Sequence, residues 1–158
     1  MISYYVIDAF STQLFHGNPA GVCILETPLS EQIMQQIAFE NNLAETAFVF
    51  QEGKFLRLRW FTPKSEIDLC GHATLAAAFV WMNEVNPNCN AVSFETMSGT
   101  LTVNKRYLYN GFSQPYAETD YDARGFGNRF GLFRFGNASI PRFDCCGRKR
   151  RYGTKDTA

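Results

Sequence analysis

Hydrophobic and polar positions alternate along the first part of the chain, which predicts two β-strands. Residues 3–10 alternate and are rich in aromatic and β-branched side chains. The HGNP cluster at residues 16–19 is typical of a turn, and residues 20–25 form a second apolar run. We therefore expect two strands, with a connecting loop that ends at this turn.

The spacing of apolar residues then changes to that of a helix. Ser30 is a favourable N-cap residue, and Asn41-Asn42 is a plausible end. Between them the apolar residues recur at helical intervals: Ile33, Met34, Ile37 and Ala38. This pattern predicts an amphipathic helix that covers a sheet with one face.

Two further strands are predicted at residues 45–51 and 55–62, joined by the short EGK connection. In the second strand the leucines and Trp60 share one face, while Arg57 and Arg59 share the other. Pro63 follows this strand and ends it.

Residues 73–82 are strongly helix-forming and apolar on every face. Such a helix must be enclosed by other structure. Residues 92–96 and 100–103 predict two more strands around a Ser98-Gly99 turn. The expected fold class is therefore α+β, a curled and mostly antiparallel sheet rolled around one buried helix.

Composition divides the chain near residue 104. Residues 1–103 carry four Lys/Arg and ten Asp/Glu, a net charge of −6, whereas residues 104–158 carry eleven and five, a net charge of +6. Beyond Asn104 the only Leu, Ile or Val residues are Leu108, Leu132 and Ile140. We predict a domain at residues 1–103, followed by a basic, Gly/Arg-rich segment at 104–158 that lacks the apolar surface needed to fold.

This basic segment has two interpretations. A basic arm with interleaved aromatic residues can bind RNA, but no RGG-like repeat is present, so a nucleic-acid partner is not expected. Alternatively, a frameshift near residue 104 replaced the rest of the gene product. Codons for residues 108–112 read one base later permit Tyr-Thr-Met-Asp-Phe, a strand-like sequence.

The chain as a whole has a formal net charge of zero and a globular composition. No secretory signal or membrane-length apolar run is evident, so a cytoplasmic location without a membrane partner is expected. The five cysteines show no disulfide framework, and with two histidines they show no zinc pattern, so no metal is expected.

Glu45 is the first candidate for chemistry. It lies where a loop enters an otherwise small or apolar strand, and desolvation at such a place can raise the pKa of a carboxyl group toward the range useful for acid–base catalysis. On local grounds alone, an exposed glutamate at a strand end is the favoured interpretation.

A second candidate is the start of the apolar helix. Its free backbone N–H groups favour an anion, and Gly71 permits close approach of a ligand to the backbone. His72 follows, either as a ligand contact or as a packing residue. Cys70 precedes the helix, where a thiol can have a lowered pKa and act as nucleophile or base, or be a small buried apolar residue.

Five segments occur in an order and spacing that resemble the amino-terminal half of the PhzF-like family of the diaminopimelate-epimerase superfamily. They are DAF at 8–10, GNPAGV at 17–22, NLAETAF at 42–48, RWFTP at 59–63 and DLCGHAT at 68–74. The resemblance covers about a hundred residues.

This resemblance implies two pseudo-symmetric domains, each a sheet rolled around a helix, with a cofactor-free active site between them. The implied activity is isomerisation by proton transfer at carbon on a small carboxylate-bearing metabolite, as in phenazine biosynthesis. Glu45 falls on the catalytic carboxylate, Gly71 and His72 on the substrate-binding loop, and Asn18 on a loop facing the same cleft.

Cys70 falls where related racemases carry one of two catalytic thiols. The Cys-Gly-His sequence and the presence of Glu45 favour carboxylate chemistry over a two-thiol racemase. Nothing in residues 104–158 resembles the second domain of the family. We therefore expect a truncated isomerase, or alternatively a non-catalytic half-domain that forms a homodimer through its exposed apolar face.

Overall fold

The computed structural model describes residues 2–11, 16–107, 115–120 and 133–134. Within these residues the elements in chain order are β1 (Ile2–Ala9), β2 (Asn18–Leu25), α1 (Glu31–Asn41), β3 (Glu45–Glu52), β4 (Phe55–Phe61), β5 (Glu66–Ile67), α2 (Gly71–Val80), a π-helical turn (Trp81–Val85), β6 (Ala91–Thr96), β7 (Gly99–Tyr107), β8 (Pro115–Asp120) and β9 (Phe133–Arg134).

The described strands form one sheet in the order β1-β2-β3-β4-β6-β7-β8-β9, and β5 pairs with β4. The β2–β3 and β4–β6 pairs are parallel, and the other pairs are antiparallel. Strands β1 to β4, β6 and β7 supply apolar side chains to a single core around α2. The predicted fold class is therefore confirmed.

Helix α2 is enclosed as its sequence requires. Seven of its residues are buried: Ala73, Thr74, Leu75, Ala76, Ala77, Ala78 and Val80. The helix begins two residues earlier than predicted, at Gly71, and becomes a π-helical turn at Trp81. The Asn83 side chain donates to the Phe79 carbonyl at 2.7 Å, and the Asn86 N–H donates to the carbonyl of Trp81, five residues earlier, as in a π-helix.

Helix α1 has the predicted ends. The Ser30 Oγ accepts from the Ile33 N–H at 3.4 Å, and Asn42 adopts a left-handed φ of 50° at the C-cap. Buried Met34 and Ala38 pack in a second cluster with Phe48 and Phe61. Consequently α1 and α2 lie against opposite faces of β3.

The start of β2 differs from the predicted turn. Asn18 and Pro19 belong to the strand and pair with Ala9 and Asp8 of β1. Proline is tolerated because the pairing of β2 with β3 begins only at Ala20, so no described strand pairs with that side of β2 at Pro19. Gly17 is required just before, since a Cβ there would lie 2.6 Å from the Ala9 carbonyl oxygen.

The predicted hairpin is confirmed as β3 and β4, with Gly53 at a φ of 60° in the connection. Leu56, Leu58 and Trp60 are buried, while Arg57 and Arg59 are half-buried on the opposite face. The alternation in β3 places Glu45, Ala47 and Val49 on the side of α2.

The predicted strand at 100–103 is longer in the structure, because β7 runs to Tyr107 and its backbone pairs with β8. Most of residues 104–158 lie outside the described residues. The boundary at residue 103 and the frameshift therefore stay predictions. Among the described helices, none has the length and apolar character needed to cross a membrane.

Candidate functional site

Glu45 opens β3, directly after the loop that follows α1. It pairs with Ala20 of the neighbouring parallel strand, which fixes its backbone at one end of the sheet. Its side chain is 19% exposed, so the carboxylate is largely withdrawn from solvent while keeping an opening to it. The sequence-predicted acid–base residue is thus neither an exposed strand-end glutamate nor a fully buried one.

The start of α2 faces this carboxylate. Cys70 is the N-cap residue, with an extended backbone at φ −148°, and its carbonyl accepts from the Thr74 N–H at 3.1 Å and from the Thr74 hydroxyl at 2.6 Å. Gly71 and His72 follow in the first turn, where backbone N–H groups have no partner within the helix.

The tertiary structure brings three of the predicted residues into contact. The Nε2 atom of His72 lies 3.0 Å from the Glu45 Oε2 atom. The Cys70 Sγ atom lies 3.3 Å from the Nδ1 atom of the same ring. The imidazole of His72 therefore sits between the thiol and the carboxylate, with one ring nitrogen toward each.

The contact between His72 and Glu45 is short but poorly aligned. Neither His72 Nε2 nor Glu45 Oε2 completes a hydrogen bond with a described residue, although both atoms are buried. Buried polar atoms without a partner are costly and uncommon in folded proteins. Both atoms therefore retain hydrogen-bonding capacity that no described residue uses.

Burial controls the protonation of the histidine. It lowers the pKa of His72, and the negative charge of Glu45 opposes this effect only in part. The ring is therefore neutral near physiological pH, and one of its nitrogens carries a proton while the other accepts.

Burial also controls the thiol. It raises the pKa of Cys70 to about 11, although the Ala73 and His72 backbone N–H groups act to lower it and the Glu45 charge adds to the rise. The lowered pKa that a helix N-terminus can give is therefore not realised at Cys70. The thiol is protonated at neutral pH, which argues against Cys70 as a nucleophile or base.

Glu45, Cys70 and His72 also form a group of potential metal ligands, with one ligand atom from each residue lying within 4.8 Å of the others. The spacing of cysteines and histidines alone did not predict this group, because Glu45 comes from a different element. Since the thiol and the carboxylate approach opposite nitrogens of one ring, the three side chains do not converge on a common point.

Two other predicted residues lie at the edges of this group. Gly71 faces open space, since a Cβ there would meet no described atom within 4 Å. Asn18 starts β2, two residues before the Ala20 that pairs with Glu45, and is half-buried in a strand rather than in the expected loop. Its role in binding stays a prediction.

Phe10 is a part of the site that sequence reasoning did not single out. The centroid of its ring lies 6.2 Å from that of the His72 ring, and the residue is 47% exposed. Its backbone has a left-handed φ of 67°. Exposed Leu69 adjoins Cys70, and exposed Met97 adjoins Ser98, whose hydroxyl donates to the Asp68 carbonyl.

The protonated state of Cys70 leads to a prediction about its reactivity. Alkylation by iodoacetamide at neutral pH is expected to be much slower at Cys70 than at the more exposed Cys89, because only the thiolate reacts. The rate at Cys70 should climb as the pH approaches about 11. Peptide mass spectrometry over time measures both rates, and faster labelling of Cys70 at neutral pH would contradict the assigned protonation.

Comparison with known proteins places this arrangement in a family. Residues 7–121 match the family described as phenazine biosynthesis-like protein, PhzC-PhzF. The chain belongs to this family. An uncharacterized isomerase of Pseudomonas aeruginosa is 47% identical over 104 residues, which cover 66% of this chain and 40% of that protein.

Solved structures agree with the fold. A phenazine biosynthesis PhzC/PhzF protein from Clostridium difficile matches with a TM-score of 0.66 and 51% identity, covering 75% of this chain and 43% of that one. A predicted epimerase from Pseudomonas aeruginosa matches with a TM-score of 0.59 and 22% identity over 76% of this chain and 43% of that one, which concerns the fold alone. The PhzF-like chain thus spans about two fifths of the length of its relatives.

Proposed function

We propose that this chain carries the proton-transferring half of an isomerase that acts at carbon on a small carboxylate-bearing metabolite, with Glu45 as the acid–base group. Membership in the PhzF-like family and the isomerase name of a relative support the reaction class. The observation that carries the proposal is the buried Glu45 oxygen that has no hydrogen-bond partner among the described residues and lies 3.0 Å from a neutral His72.

The proposed reaction is balanced without any change in oxidation state. The Glu45 carboxylate removes a proton from one carbon, and the C–H electron pair delocalises into an adjacent unsaturated group. The protonated carboxyl group then returns the proton to a different carbon.

The helix N-terminus supplies the proposed contact for the substrate carboxylate. The first backbone N–H groups of α2 and the positive end of its dipole favour an anion. Gly71 leaves this approach open, because no side chain occupies the space in front of it. The substrate carboxylate would then lie close to Glu45, with its reacting carbon within reach.

Proton exchange with solvent tests the proposal directly. The full chain is incubated in deuterated water with a panel of small unsaturated carboxylic acids, and loss of carbon-bound proton signals is followed by NMR. Exchange that requires Glu45 supports the proposal. A folded chain that catalyses no exchange with any acid of the panel contradicts it.

Replacing Gly71 by alanine separates binding from folding. The variant should fold as well as the parent, since the new Cβ meets no described atom within 4 Å and alanine is favourable in a helix. Exchange should fall, mainly through a higher KM, because the methyl group lies where the substrate carboxylate is proposed to approach. Gly17→Ala is the matched control, as its Cβ would clash with the Ala9 carbonyl and reduce stability instead. An unchanged KM in Gly71→Ala would count against this binding mode.

A second candidate function is a non-catalytic half-domain that self-associates. The observations that favour it are the coverage of only about two fifths of related proteins and the exposed apolar side chains of Phe10, Leu69 and Met97. Sedimentation velocity, measured together with the exchange assay, distinguishes the two candidate functions. A concentration-dependent homodimer that lacks exchange favours the second.

A further inference from the structure

The contact between Cys70 and His72 is not explained by the proposed proton transfer, in which Glu45 alone touches the reacting carbon. The Sγ and Nδ1 atoms are 3.3 Å apart, within the range of a hydrogen bond to sulfur. Both partners are largely withdrawn from solvent, since the His72 side chain is 11% exposed and Cys70 is buried. When two polar groups are buried together, one must donate the hydrogen bond and the other must accept it.

The protonation states of the two side chains help to decide which of them donates this hydrogen bond. The thiol carries its proton at neutral pH, because its pKa is raised to about 11, and the imidazole is neutral because burial lowers its pKa. A protonated thiol can donate to Nδ1 of the neutral ring, and the Glu45 carboxylate oxygen 3.0 Å from Nε2 favours a proton rather than a lone pair on that nitrogen. The ring proton then lies on Nε2, the nitrogen that faces Glu45.

We infer that Cys70 is a positioning residue, whose S–H donates to His72 Nδ1 and so holds the imidazole as the neutral Nε2–H form beside the Glu45 carboxylate. The tautomer follows from the contacts of the described side chains. Its consequence for catalysis rests on the proposed function of Glu45.

The consequence concerns the basicity of Glu45. A protonated His72 would form an ion pair with the carboxylate at 3.0 Å, which would favour the charged carboxylate and make it a weaker base. A neutral Nε2–H group can donate to the carboxylate while leaving it able to accept a proton from carbon. By occupying Nδ1, the thiol makes the protonated ring less favourable.

The described groups around the ring are consistent with this role. Glu45, at the start of β3, faces Nε2, and Cys70, just before α2, faces Nδ1. Phe10, just after β1, has its ring centroid 6.2 Å from that of His72. Glu45 favours a protonated ring, whereas burial and the thiol contact oppose it. Removing the thiol should therefore shift the balance toward the cation.

Proton–nitrogen NMR of the full chain tests the assignment. The sequence contains only His16 and His72, and a His16→Gln variant identifies the signals because His16 is exposed. The wild-type His72 ring is expected to carry its proton on Nε2 at neutral pH. If the wild-type ring carries its proton on Nδ1, the inference is overturned before any Cys70 variant is measured.

Two substitutions then distinguish the hydrogen bond that Cys70 donates from the packing of its side chain. In Cys70→Ala the proton affinity of the His72 ring should rise roughly two- to tenfold, as expected for the loss of one hydrogen bond. Cys70→Ser keeps a donor and should retain the wild-type tautomer and affinity. The inference is wrong if alanine leaves the ring unchanged, or if serine alters it as much as alanine does.

The activity readout remains separate from the NMR readout. In the exchange assay Cys70→Ala should move the lower limb of the pH profile upward and reduce the maximal rate, with serine restoring both. If the wild-type chain exchanges no substrate protons but shows the expected tautomer and variant effects, the proposed function fails while the role of Cys70 in holding His72 stands.

Discussion

Replacing Glu45 by glutamine is expected to reduce carbon-bound proton exchange by about two orders of magnitude or more, the usual contribution of a positioned acid–base group. Glutamine is nearly isosteric, so its amide should occupy the same position at the start of β3 without disturbing the core. The amide cannot remove a proton from carbon at neutral pH. NMR exchange rates in deuterated water measure the loss.

The matched control for this experiment is Glu40→Gln. Glu40 lies on the exposed face of α1, away from the contacts that join Glu45 to His72. It should retain the parent exchange rate, and both variants should unfold at the same urea concentration as the parent. Equal exchange by Glu45→Gln and the parent would show that another group transfers the proton.

Replacing Leu75 by alanine is expected to lower the free energy of unfolding by about 2–5 kcal/mol, the range for removing a buried leucine side chain. Leu75 is 1% exposed and lies in the middle of α2, with core side chains from several strands around it. Small alanines on the other faces of the helix let the sheet approach closely, so little rearrangement is available to fill the cavity. Urea unfolding followed by circular dichroism measures the change.

Phe39→Ala is the matched control for stability. It removes a larger apolar side chain from α1, but Phe39 is 68% exposed, so the change should stay within about 0.5 kcal/mol. Similar losses in the two variants would mean that α2 is not the centre of the fold. A small loss for Leu75→Ala alone would mean that the core around it closes the cavity.

Much of the local structure follows from short stretches of sequence. The cap at Ser30, the end of α1 near Asn42 and the faces of the β3–β4 hairpin depend on neighbouring residues only, and each was predicted. The enclosure of α2 was predicted as well, because a helix that is apolar all round has no face to offer to water. The family was identified from motifs in register, and the family match confirms it.

The pairings of distant strands were beyond local reasoning. Nothing in the segments themselves specified that β2 and β4 would have parallel neighbours, β3 and β6, since such pairs join residues far apart in sequence. The strand character of Asn18 and Pro19 has the same origin, because it depends on β1 lying alongside. The π-helical turn that follows Val80 was not predicted.

For the candidate site, the sequence determined which residue types were present and tertiary structure decided what they do. Glu45, Cys70 and His72 could be named from their local settings and from the family resemblance. The 3.0 Å contact between Glu45 and His72 arises because a strand end meets a helix start, whereas the 3.3 Å contact between Cys70 and His72 is local to the helix start. The helix start alone suggested a lowered pKa for the thiol, but burial raised it to about 11, because desolvation depends on every surrounding element rather than on the neighbours in the chain.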